Sequence, residues 1–134
     1  MPDLAVATLM DNVERLGSEL GDKATRLSEI IAEIEARLMR MGGKVAVSVV
    51  HERTQLSFDR IEPTGWAVWL GSEGSRERLT NASIYKKGAA FPVLLMLLAR
   101  LEESQREQLK LVEKSLGEFS RSSAAALLDK KEGK

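Results

Sequence analysis

A seven-residue apolar register runs unbroken through the first forty or so residues and constrains this chain more than any other feature. Met10, Gly17, Ala24, Ile31 and Leu38 form one series, and Val6, Val13, Leu20, Leu27, Ile34 and Met41 form the other. Nearly every a- and d-type position is therefore apolar or small, and a stripe that narrow requires another helix against it. At 1.5 Å rise per residue the seam is roughly 50 Å long, which exceeds the width of the small domain that follows. Part of it is expected to pack against a second copy of the chain or against another long helix. The expected oligomer contacts are Met10, Val13, Leu20, Leu27, Ile31, Ile34 and Leu38.

The spacing predicts a helix over 3–41, with Asp3 to cap free backbone N–H groups and Gly42-Gly43 to end it. Gly17 and Gly21 weaken its middle, each costing up to about 1 kcal/mol relative to alanine. With Ala24 they form a small-residue stretch on or beside the seam, which fits either the close approach of another helix or a break into two helices.

After the glycines the period falls from seven to two. Val45, Val47 and Val49 alternate with Ala46, Ser48 and Val50, and Leu56 and Phe58 alternate with Gln55, Ser57 and Asp59, the pattern of half-buried antiparallel strands. His51 to Thr54 reads as the first turn and Pro63-Thr64-Gly65 as the second. Trp66 to Leu70 reads as a third strand, and a short fourth is expected around Arg76 to Leu79. Asn81 to Gly88 fits an edge strand or a helix entry. A second helix is expected over 90–120, with Pro92 near its first turn and Leu94, Leu95, Leu98, Leu101, Leu109, Val112, Leu116 and Phe119 toward a core. Its heptad places Gln105 and Gln108 where apolar residues belong.

The fold class that follows is α+β: a long N-terminal helix, an antiparallel meander of three to five strands and a long C-terminal helix, both helices on one sheet face. With 134 residues, 43% of them hydrophobic, the chain has material for one core. A single domain is expected over 1–121, followed by a frayed polar tail over 122–134.

Composition narrows function mainly by exclusion. Twenty basic and twenty acidic side chains cancel, so no global field draws the chain to nucleic acid or acidic membranes. The absence of cysteine removes disulfides, thiolate nucleophiles and thiolate metal sites together. Met1-Pro2-Asp3-Leu4 lacks the basic and apolar regions of a signal peptide. The longest apolar run, Ala89 to Ala99, is interrupted by Pro92 and falls well short of the roughly twenty residues that span a bilayer. A cytoplasmic protein without membrane association is expected.

Motifs of catalysis are missing their essential partners. Gly42-Gly43-Lys44 resembles the end of a phosphate loop, but Leu38 and Val45 occupy the positions that need glycine and a hydroxyl. Gly71 to Gly74 lacks the dinucleotide spacing and reads as a turn. His51 is the sole histidine, and Glu102, Glu103 and Glu107 lack the Glu-x-x-His of di-metal bundles, so no metal or other cofactor is expected. One histidine and no nucleophile elbow argue against a hydrolase triad, and no enzyme is expected.

Two features remain for binding. Trp66 and Trp69 are three apart, so they point to opposite strand faces. Trp66 joins Val68 and Leu70 on the core side, which leaves Trp69 on the face of Gln55, Ser57 and Asp59, a position suited to an interface anchor or to cover by the C-terminal helix or a second subunit. The segment Arg76, Arg78, Tyr85, Lys86, Lys87 is the one local excess of positive charge. From Lys44 to Phe91 seven basic residues face five acidic ones, whereas before Lys44 five face eight. With Trp69 nearby, these cations and Tyr85 suit a phosphate-bearing ligand or a nucleic-acid strand. The expected function is a non-enzymatic interaction or regulatory protein that forms a homo-oligomer through its helices and binds a protein partner through the sheet and its turns. Small accessory proteins of bacteria and phages share this helix, meander and helix arrangement, a likeness of fold that transfers no function. The alternative is a nucleic-acid- or nucleotide-binding module using Arg76 to Lys87.

Overall fold

The computed structural model describes residues 2–121, and the tail expected over 122–134 lies outside them. Helix α1, Pro2–Arg40, is continuous through Gly17 and Gly21. A side chain at either glycine would meet open space, so among the described residues no other helix approaches them. Lys44 Nζ donates to the Met41 carbonyl at 2.6 Å, satisfying a group that the end of the helix leaves free.

The chain then forms β1 (Val47–His51), β2 (Thr54–Ile61), β3 (Gly65–Leu70) and the two-residue β4 (Glu77–Arg78). They make one antiparallel sheet in the order β1-β2-β3-β4, with Phe58 opposite both Val47 and Val68. A single 3₁₀ turn, Leu79–Asn81, leads into α2, Ile84–Ser120. The segment 81–88 is thus helix entry, and α2 starts ahead of the expected residue 90. Ser83 decides this: its hydroxyl accepts the Lys86 backbone N–H at 3.3 Å and caps the helix. Pro92 consequently sits inside the helix. The residue four before it is Gly88, whose backbone must yield to the proline ring.

One core joins the layers. Leu56, Phe58 and Val68 face Ile31 and Leu38 of α1 and Ala90, Val93, Leu94, Leu97 and Leu101 of α2, with Leu79 and Ala82 sealing the corner. Phe58 and Trp66 stack at 4.9 Å between ring centres. Trp66 and Leu70 lie half-buried against this core, on the predicted face. The helices run in the same direction, since Lys87 reaches Ser28 while Gln105 reaches Gly43.

Length decides the rest of the architecture. At about 3.3 Å per residue the eight residues of β2 span about 26 Å. The 39 residues of α1 and 37 of α2 span about 58 and 55 Å. Each helix must therefore overhang the sheet. The overhangs are the first half of α1 and the last third of α2, at opposite ends of the body. Leu95, Leu109, Val112, Leu116 and Phe119, expected in the core, are instead exposed, because Leu95 points away from the sheet and the others lie beyond its end.

Candidate interaction surfaces

The cations of the basic segment are held by the chain itself. Arg76 Nη1 donates to Asp59 Oδ2 at 3.5 Å, and Lys86 Nζ to Glu77 Oε2 at 3.0 Å. Lys87 is buried, its ammonium donating to the Ser28 hydroxyl at 3.1 Å. Arg78 Nη2 pairs with Glu35 Oε1, and Glu35 Oε2 accepts the Val68 backbone N–H at 3.0 Å. Glu35 is itself buried. It covers a stretch of the β3 edge that the short β4 does not reach.

Trp69 is buried, so it is covered structurally and is not a free anchor, and its face is less solvated than Gln55, Ser57 and Asp59 suggest. It stands beside its register partner Ser57, also buried, and its indole N–H donates to the Asp59 carbonyl at 3.1 Å. Glu73, Gly74 and Arg76 of the β3–β4 turn line a hollow with Trp69 and Asp59. Of the six expected binding residues Tyr85, at 85%, and Lys86 are exposed.

These residues do not converge. Trp69 and Arg76 share the hollow beneath the β3–β4 turn. Tyr85 and Lys86 line a separate cleft of about 450 Å³ with Arg53, Ser72, Ser75 and Glu77. Lys87 lines a third, of about 480 Å³, with Ala24, Thr25, Ser28, Thr80 and Ile84. Arg78 is directed to α1. Gln105, expected as a polar interruption of a seam, donates to the Gly43 carbonyl at 3.1 Å and ties α2 to the α1–β1 connection. Gln108 lines a groove of about 410 Å³ beside it. His51 is exposed next to Glu52, and among the described residues no group of three or more His, Cys, Asp or Glu side chains is placed to hold a metal ion. Among the same residues no helix is long and apolar enough to cross a membrane.

No protein-family model, curated protein or solved structure matches the chain.

Among the described residues the longest runs of exposed apolar side chains lie on the helix overhangs. On α1, Ile31 and Leu38 are buried and Leu27 and Ile34 pack against the core, whereas Met10, Val13 and Leu20 of the same stripe are exposed. Leu9 and Leu16 widen the stripe to three positions per heptad, a g-type series that the two-position seam does not include. Their spacing of seven beside the a and d series is the signal in the sequence that marks them. Leu109, Leu111, Val112 and Leu116 give α2 a second exposed apolar arm.

Proposed function

We propose that this chain is a non-enzymatic interaction protein, a small α+β body carrying two helical arms, and that its primary partner is a second copy bound through the α1 arm. One observation carries the reading. Val6, Leu9, Met10, Val13, Leu16 and Leu20 are between 49% and 65% exposed on the stripe that further along supplies Ile31 and Leu38 to the core. Fully burying a side chain of this size is worth about 1.5–3 kcal/mol, and monomeric soluble proteins rarely leave a contiguous patch of this kind open. Arg76, Arg78, Lys86 and Lys87 each already have a partner within the chain, in Asp59, Glu35, Glu77 and Ser28. The arms therefore carry the proposal in place of the basic segment.

Sedimentation from about 1 to about 100 μM tests it, because mass action makes a self-associating chain gain mass across that range. The chain is expected to approach the mass of two copies. Val13→Asp with Leu16→Asp should hold it at one copy with an unchanged unfolding transition for the body, since neither side chain belongs to the core. A single-copy mass for the unaltered chain at the highest concentration refutes the proposal.

A further inference from the structure

We infer that the second copy lies antiparallel on the α1 arm, about a twofold axis level with Arg15, in one register fixed by the arm's own residues; this rests on the self-association proposed above.

Direction follows from what already occupies the stripe. From Leu27 onward the apolar face of α1 is filled by the chain's own sheet, 3₁₀ turn and α2. A parallel partner helix in register with the arm would run straight into them. An antiparallel partner ends there: its first turns reach the root of the arm, where Ala24 and Ile84 line a cleft, and its body lies beyond the other end. Two arms of equal length then cover each other completely.

The register follows from the a and d series. In an antiparallel pair each d position meets an a position of the other helix. Centring on Arg15 sets Val6 against Ala24, Met10 against Leu20 and Val13 against Gly17, each contact occurring twice, so a β-branched residue meets a small one in four of six layers. Sliding outward by one heptad sets Leu20 against Asp3. Sliding inward sets Met10 against Leu27 and Val6 against Ile31, which the core already covers. Only the central register has six apolar layers and no collision. It gives Gly17 a contact, where this chain alone leaves its Cβ position open. Leu16 meets its own symmetry mate across the axis on the g flank, and Glu14 meets its mate on the e flank.

The area is adequate for a reversible dimer. Six side chains per copy, at about 60–120 Å² of apolar surface for each one fully buried, remove on the order of 1,000 Å² from water, the lower limit for a specific interface.

The chain has no cysteine, so single-cysteine variants report position without interference. Met10→Cys and Leu20→Cys, mixed and treated with a thiol crosslinker of about 8 Å reach, should crosslink as a heteropair. Neither should crosslink alone, since each lies about 15 Å along the axis from its own mate in this register. Leu16→Cys should crosslink alone, and Glu14→Gln should tighten the dimer about twofold by removing a like-charge contact. Self-crosslinking of Leu20→Cys, or a two-copy mass without the Met10–Leu20 crosslink, overturns the arrangement and leaves self-association standing. Growth into open polymers overturns it in favour of α1 arms on α2 arms. A single-copy mass overturns both.

Discussion

The Glu35–Arg78 pair predicts an asymmetry between substitutions at its two ends. The Glu35 side chain is 4% exposed and that of Arg78 is 32% exposed. Arg78→Met strands a carboxylate whose remaining hydrogen bond comes from the Val68 N–H. Breaking a buried pair this way costs about 3–5 kcal/mol, and the lower end applies because water reaches the Arg78 position. Glu35→Gln keeps an amide oxygen for Val68 and leaves a guanidinium that water reaches in part, its Nε being buried, so its cost should stay at about 1–2 kcal/mol. The double variant should resemble Glu35→Gln alone, since no charge is then stranded. Urea unfolding followed by circular dichroism reads the difference, in the Val13→Asp, Leu16→Asp background so that association does not enter. A loss of about 3 kcal/mol should lower Tm by roughly 10 °C in a chain of this size. Equal losses for the two single variants, or a milder effect of Arg78→Met, would refute the assignment of the cost to the buried carboxylate.

Two further perturbations test how the body is held. Ser83→Ala removes the hydroxyl that accepts the Lys86 N–H and should cost about 1 kcal/mol in the same urea assay, with Ser83→Gly nearer to neutral. Gly71→Ala places a Cβ 2.8 Å from the Ser75 carbonyl oxygen at φ +109°; it should cost about 1–3 kcal/mol and red-shift tryptophan emission, as the turn beside Trp69 loosens.

The meander is legible because period-two alternation and turn residues are local signals: Val47 to Val50, Leu56 to Asp59 and Pro63-Thr64-Gly65 fall where the strands and turns stand. The start of α2 is not, because Pro92 is a stronger local signal than a single capping serine at Ser83. The heptads of both helices are legible, but which residues a core would cover is not. Ile31 and Val13 share one pattern and have opposite surroundings. They differ only in their distance from a sheet whose strands are at most eight residues long. Alternation places Trp69 on the correct strand face but does not encode its burial.

The basic segment shows why a charge count along the chain misjudges a surface. β4 pairs only with Trp69 and Leu70, so the Val68 N–H on the same edge needs another acceptor. An uncovered strand edge invites pairing with another chain, and α1 covers it with Glu35. A buried carboxylate needs a cation, and Arg78 lies opposite Trp69 in the adjoining strand, within reach of it. The excess of acid before Lys44 and of base after it is thus partly complementarity between α1 and the sheet, made to close an edge. Arg76 on Asp59 and Lys86 on Glu77 draw on the same strands and turns. The arms differ in kind: among the described residues their apolar side chains lie beyond the strands and stay exposed to water, whereas Arg78 has Glu35 within the chain.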